Sequence, residues 1–238
     1  MTDSQDTPPV AHRRIRSYVI RAGRMTVGQE RAWNECWPTY GVNYAADRLD
    51  LDALFGRSAQ RMLEIGFGNG DAILAFAQRH PDFDCIGIEV HPPGVGHLML
   101  SARAAQLTNI RALCHDAVEV LTHCIAPASL DQVHVFFPDP WHKKRHHKRR
   151  LVTNEFVRLL VSVLKPNGVI KMATDWEHYA EQMLAVLSAN TELQNLAPLH
   201  PECHSGFAVR PEHRPLTRFE RRGHRLGHGV WDLTFQKK

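Results

Sequence analysis

From residue 61 onward the chain alternates between short apolar runs and amphipathic stripes, and the runs end in a glycine or an acid. RMLEIG (61–66) reads as a buried strand and DAILAFAQRH (71–80) as a helix. DCIGIEV (84–90) is a second strand and PGVGHLMLSARAAQL (93–107) a second helix. IRALCH (110–115) and DQVHVFF (131–137) are further strands, separated by the short helical DAVEVLTH (116–123). TNEFVRLLVSVL (153–164) places apolar residues at 156, 159, 160, 163 and 164, a helical stripe. Pro166-Asn167-Gly168 turns the chain into the strand VIKMAT, DWEHYAEQMLAVL is another helix, and GVWDLTFQ is the last strand. Few folds accommodate such alternation. It predicts an α/β fold, a mostly parallel sheet with helices on both faces. Ligands of such sheets sit beyond the carboxyl ends of the strands, where the strand order reverses. Gly66, Glu89, Asp116, Asp139 and Asp175 all fall at that edge.

The sequence divides into a basic N-terminal arm with a short helix over residues 1–55 and an α/β domain over 56–238. Thr26 to Trp37 is predicted as that helix, with Thr26 and Gln29 as a capping box and Pro38 as its end. The opening MTDSQDTPP has no apolar core of a secretion signal, and no apolar run reaches the roughly 18 residues that span a bilayer. Five cysteines, at 36, 85, 114, 124 and 203, form no CxxC pair. Their odd number points to reduced thiols in a cytoplasmic protein, not to a disulfide frame or zinc site.

LEIGFGNG places glycines at 66, 68 and 70 between the first strand and first helix, where a ligand can approach the backbone closely. A dinucleotide fingerprint would read GxGxxG. This loop is GxGxG, and Glu64 stands on the strand before it. An acid there is unfavourable beside a diphosphate and favourable beside a cation. S-adenosylmethionine, with its ammonium and sulfonium, fits better than NAD. Glu89, 23 residues after Gly66, can accept from ribose hydroxyls, and Asp116 from an adenine amino group.

Net charge is only +4, yet it is unevenly spread. Between Asp6 and Glu30 stand five arginines (13, 14, 16, 21 and 24) and no acid, and Arg218, Arg221, Arg222 and Arg225 form a set near the C-terminus. The third cluster is the most specific. FFPDPWHKKRHHKRR (136–150) carries Asp139 between two prolines, then Trp141, then nine residues with six Lys or Arg and three His. Cations hold phosphates, an aromatic stacks on a base and a carboxylate meets a base edge, so the run predicts a planar base on a polyanion. Trp141 reads equally as a stacking platform and as a buried indole packing the loop. The histidines at 142, 146 and 147 sit among cations that repel a divalent ion, so no metal is expected. The arm from Arg13 to Arg24 is expected to clamp RNA and to order on it.

The chain resembles the bacterial tRNA (guanine-N7)-methyltransferases over nearly its whole length. The matching runs are IRSYVIRAGRMTVGQ, LEIGFGNG, GIEVHPPGVG, CHDAVEVL, FFPDPWHKKRHHKRR, MATDWEHYAEQM and RPLTRFERRGHRLGHGVWDL. The resemblance implies a Rossmann-like class I S-adenosylmethionine-dependent methyltransferase fold, a mostly parallel seven-stranded sheet with helices on both faces, and methyl transfer from S-adenosylmethionine to N7 of a tRNA guanosine in the variable loop. No membrane contact and no obligatory protein partner are expected. The resemblance also implies a cofactor site built from Glu64, Gly66, Gly68, Glu89, Asp116 and Asp139. Asp139 becomes the catalytic acid, and Lys143, Asp175, Thr217, Arg218, Phe219 and Glu220 contact substrate. Arg145, His146, His147, Lys148, Arg149 and Arg150 hold the tRNA. Whether Asp139 touches the base, the cofactor or both stays open, as does a helix N-cap role for Asp175. Pro-Asp-Pro-Trp also loosely resembles the Asn/Asp-Pro-Pro-aromatic motif of exocyclic-amine methyltransferases. An RNA-binding protein that keeps the fold without turnover is the non-enzymatic rival.

Overall fold

A computed structural model describes residues 15–19, 25–197, 206–211 and 229–238. Helix α1 (Val27–Tyr40) and strand β1 (Gly41–Val42) lead into helix α2 (Leu51–Phe55). There follow β2 (Gln60–Ile65), α3 (Asp71–Arg79), β3 (Phe83–Glu89), α4 (Pro92–Ala104), β4 (Ile110–Cys114), α5 (Ala117–His123) and β5 (Leu130–Phe136). After a 3₁₀ helix, Lys144–Arg149, come α6 (Asn154–Val163), β6 (Leu164–Thr174), α7 (Glu177–Ser188), β7 (Leu193–Asn195) and β8 (Trp231–Lys237).

The strands form one sheet in the order β1-β4-β3-β2-β5-β6-β8-β7. The pairs from β1 to β6 are parallel, and β8 runs antiparallel to both β6 and β7. The described residues thus hold eight strands where seven were expected. Six of the eight are those placed along the sequence; the other two, β1 and β7 at the sheet edges, are two and three residues long, too short to carry a periodic signal. Chain order moves outward from β2 to β3 and β4, then returns to the other side of β2 with β5. The reversal lies between β2 and β5.

Alternation along β2 sends Met62 and Glu64 to one face and Leu63 and Ile65 to the other. The first face packs Met62, Cys85 and Ala112 against Cys36 and Tyr40 of α1, Ile73 and Phe76 of α3, and Leu98 and Met99 of α4. The second packs Leu63, Ile65, Val133 and Val135 against Leu121 of α5, Phe156 and Leu160 of α6, and Met183 of α7. Each Leu, Ile, Val, Phe or Met among these, fully buried, contributes about 1.5–3 kcal/mol relative to exposure. Thr153 caps α6 by accepting from the Phe156 amide at 3.3 Å.

Helix α1 runs past Pro38 to Tyr40 instead of ending there. Pro38 falls in the last turn, and burial of Cys36 and Tyr40 against α4 holds that turn in place. Pro166-Asn167-Gly168 lies inside β6 as an irregularity, since Leu130 pairs with Leu164 and Gln132 with Val169. Asn167 takes φ 64° there. At the amino ends of the strands, the buried Asp84 carboxylate receives Arg57 and Arg61, each at 2.7 Å. That cluster fixes β2 against β3 at the end opposite the ligand edge.

Candidate functional site

The carboxyl ends of β2, β3, β4 and β5 surround a cavity of about 550 Å³. Its walls include Glu64, Gly66, Gly68, Glu89, Asp116 and Asp139, so the fold brings the expected cofactor residues to one place.

The glycine loop is conformationally specific. Gly66, Gly68 and Gly70 have φ of 70°, 59° and 88°, which side-chain-bearing residues rarely adopt. Their amides are already used. Gly66 donates to Ile88 O at 2.8 Å, Gly68 to Glu89 Oε2 at 2.8 Å and Gly70 to Phe67 O at 2.9 Å. A loop that spends these donors internally is a poor cradle for a diphosphate.

Glu64 is 2 % exposed, and its Oε2 has no hydrogen-bond partner. Burial, and then the charges of Asp71 and Glu89, push its carboxyl up to about 8. An orphaned acid in a cleft with two further acids nearby is completed by a cation, not by an anion. The ammonium end of S-adenosylmethionine meets that requirement. Glu89 is held by three amides: Gly68 on one oxygen, and Val90 (2.7 Å) and His91 (3.1 Å) on the other. That leaves acceptor lone pairs, aimed from a fixed carboxylate. Asp116 caps α5 by accepting from Val118 N at 2.8 Å, and it also meets the Tyr18 hydroxyl. Burial and the Asp116 charge raise the Tyr18 pKa.

Ser17, Tyr18 and Val19 line the cavity as well. They lay within the matching run IRSYVIRAGRMTVGQ, but no spacing in the sequence singles them out. His115, also lining, stacks on Tyr44 with centroids 3.6 Å apart.

Asp139 sits on an exposed loop beyond β5. Phe137 (φ 52°) and Trp141 (φ 47°) flank the Pro-Asp-Pro step in left-handed conformations. Such backbone costs about 1–3 kcal/mol per residue and persists only where surroundings impose it. Trp141 is a packing residue here. Its Nε1 donates to Ser17 O at 3.0 Å, Arg149 lies over its ring at 5.0 Å, and His146 meets it edge-on.

The basic run divides by burial. Lys143, Lys144, Arg145 and Lys148 are exposed. His146 and Arg149 lean on Trp141, and His147 lies beside His178. Burial, and then the neighbouring cations, hold the pKa of both His146 and His147 below the usual value. Arg150 departs from the expected phosphate-facing set. It is 2 % exposed and spends its guanidinium inside the protein, so a phosphate has no access to it.

Asp175 is not the N-cap of α7; Trp176 holds that position without a side-chain cap. Thr217, Arg218, Phe219 and Glu220 lie outside the described residues, as do Arg13, Arg14, Arg21 and Arg24. Among the described residues no group of three or more His, Cys, Asp or Glu is placed to hold a metal, and no helix is long and apolar enough to cross a membrane.

Comparison with known proteins agrees with this geometry. The solved structure of the 16S rRNA methyltransferase KamB matches at TM-score 0.52 and 18% identity, covering 79% of this chain and 93% of that one. That likeness establishes the fold as the Rossmann-like fold of class I methyltransferases. Residues 58–233 match the family described as "Putative methyltransferase". The tRNA (guanine-N(7)-)-methyltransferase of Burkholderia cenocepacia is 55% identical over 235 residues, covering 99% of this chain and 89% of its own length. That of Paraburkholderia xenovorans is 55% identical over 98% of this chain and 88% of its own. At that identity over nearly the whole of each chain, the chain belongs to the tRNA (guanine-N(7)-)-methyltransferase family.

Proposed function

We propose that this protein transfers the methyl group of S-adenosylmethionine to N7 of a guanosine in tRNA, the variable-loop guanosine, giving 7-methylguanosine. The observation that carries the reading is the orphaned Glu64 carboxylate in a cleft whose mouth bears Asp139 and then four exposed cations. The cofactor supplies an electrophilic methyl on a sulfonium, and guanine N7 has a free lone pair that takes it in line without a general base.

Catalysis is then positioning and electrostatics. Glu64 holds the ammonium of the cofactor. Glu89 accepts from the ribose hydroxyls, and Gly66 and Gly68 let the backbone approach. Asp116 receives the adenine amino group beside its cap of α5. Asp139 places negative charge by the purine ring, which becomes cationic as the methyl arrives. Lys143 and Asp175 flank the base, and the segment Thr217, Arg218, Phe219 and Glu220 completes the substrate side. Lys144, Arg145 and Lys148 hold tRNA phosphates, with His146 and Arg149 bracing the loop between them. The protein works in the cytoplasm without an obligatory protein partner, a reading supported by the free thiols of the four described cysteines, 36, 85, 114 and 124, and by the cofactor-binding acids all lying around one cleft of this chain.

The test is methyl transfer from labelled S-adenosylmethionine to unmodified bulk tRNA, with the digested product identified by mass spectrometry. 7-Methylguanosine is the expected product. A different methylated nucleoside would overturn the N7 assignment. Binding of cofactor and tRNA without transfer would make this a non-catalytic RNA-binding protein.

A further inference from the structure

Arg150 ends the basic run, yet it is buried and reaches three separate parts of the fold. Its Nε donates to the carbonyl of Pro140 at 2.8 Å. Its Nη1 donates to Gln182 Oε1 at 2.6 Å and to His178 Nδ1 at 3.1 Å, both on α7. Its Nη2 donates to His147 Nε2 at 3.3 Å. The guanidinium lies over the Tyr179 ring at 4.7 Å. The same helix fixes the backbone beside it: Tyr179 Oη accepts from Val152 N at 3.1 Å, and Gln182 Nε2 donates to Val152 O at 3.2 Å.

The carbonyl that Arg150 holds belongs to the peptide between Pro140 and Trp141. The orientation of that peptide sets φ of Trp141, which is 47°. An indole residue relaxes to negative φ unless something prevents it. Rotating the peptide to relieve Trp141 would swing the Pro140 carbonyl away from Arg150 and move the step that carries Asp139. Lysine cannot replace this fork. It has one nitrogen, whereas the guanidinium donates along fixed, divergent directions to the loop, to α7 and to the 3₁₀ helix.

We propose that Arg150 is a positioning residue: it clamps the Pro140–Trp141 peptide to α7 and so holds Asp139 in its working place. This rests on the reading of Asp139 as the residue beside the reacting base. It also removes Arg150 from the RNA-contacting set.

The experiment compares wild type with Arg150→Lys, both labelled with 5-fluorotryptophan, the Trp141 resonance being identified with Trp141→Phe. Two quantities are read: the ¹⁹F shift of Trp141 without ligands, and kcat with the dissociation constants of S-adenosylmethionine and tRNA. The Trp141 resonance should shift or broaden, and kcat should fall about 10- to 100-fold, the scale of a misplacement of about 1 Å. Both dissociation constants should stay within about twofold, because Arg150 itself touches neither ligand. An unmoved Trp141 resonance overturns the clamp, whatever the activity. A moved resonance with unchanged kcat overturns the positioning role. Weaker tRNA binding with unchanged kcat, together with a shallower salt dependence in the charge-removing Arg150→Gln, returns Arg150 to phosphate binding. Should Arg150→Lys fail to fold, Gln182→Leu removes the α7 anchor while keeping the arginine, and the same readings decide. If wild type itself does not methylate tRNA, the proposed function fails, and the clamp is judged on the resonance alone.

Discussion

A carboxylate that is 2 % exposed, with one oxygen unpartnered, destabilises a protein until a cation completes it. Glu64 is such a group, and its titration carries a signed prediction. Its pKa is raised from 4.5 in the unfolded chain to about 8 in the fold. Between those values the unfolded state is ionised and the folded state keeps its proton, so this residue lowers stability as pH rises from about 4.5 to about 8. Below and above that window its contribution is flat. Glu64→Gln removes the titration, so the Tm difference, mutant minus wild type, should grow from pH 5 to pH 8. A difference independent of pH would show that Glu64 is ionised in the free protein. Cofactor binding favours the carboxylate, so at pH 7 it should release close to one proton in wild type and markedly less in Glu64→Gln. Calorimetry in two buffers of different ionisation enthalpy measures this. Asp139→Asn tests the other end of the cleft. It should lower kcat about 100-fold or more with tRNA affinity nearly unchanged, the range seen when one transition-state electrostatic partner is lost. Comparable turnover would take Asp139 out of the mechanism. The acids were legible in the sequence because each follows an apolar run. The missing partner of Glu64 was not, since it arises where Asp71 and Glu89 converge in space. Nor was the burial of Arg150, because a run of cations does not reveal which one a later helix will cover.

At the level of elements, the cofactor loop depends on a close approach that one glycine permits. Helix α4 begins Pro92-Pro93-Gly94, and a Cβ built on Gly94 would stand 2.1 Å from the Gly68 carbonyl oxygen. That obstacle is backbone and cannot rotate away, so α4 or the glycine loop must move. Gly94→Ala should lower stability by about 1–3 kcal/mol, as overpacking commonly does. It should also weaken cofactor binding, because Gly68 N would lose its hold on Glu89. Denaturant unfolding and cofactor titration on the same variant check both. Stability loss with full cofactor affinity would uncouple the helix from the loop. The regular elements around this contact were readable because their periods of 2 and 3.6 are set by chain geometry. The strands β1 and β7 were not, being shorter than any repeat. Pro38 misled because a helix-breaking residue in a final turn has little helix left to break. The N-cap of α7 falls on Trp176, so the alternative left open for Asp175 does not hold; at a helix end the backbone and not the side chain marks the boundary.

Across the whole molecule, charge is organised by depth as much as by sequence. The ion pairs around Asp84 lie at the amino ends of the strands, and the exposed cations Lys143, Lys144, Arg145 and Lys148 lie beyond the carboxyl ends. A polyanion is therefore drawn to the edge that holds the cofactor cleft. The sequence announced this polarity through the clustering of its arginines and lysines. What it could not show is that residues 144–149 coil into a 3₁₀ helix with cations facing outward, while Arg150 just beyond it turns inward. The difference is measurable through counterion release. Each cation that meets a phosphate contributes roughly 0.7–0.9 to the slope of log affinity against log salt. Replacing Lys144, Arg145 and Lys148 together by Ala should make the slope for tRNA shallower by roughly 2–3. Arg150→Gln, which removes the charge, should leave it unaltered, although Arg150 lies in the same run. Filter binding between low and moderate salt distinguishes the two. If the triple variant keeps the wild-type slope, tRNA does not follow this helix, and its path lies over the other basic clusters instead. If Arg150→Gln makes the slope shallower by about one, the buried guanidinium opens to a phosphate on binding. The first pattern, with three exposed cations contributing and the buried one silent, is what a tRNA backbone laid along the outer face of this helix requires.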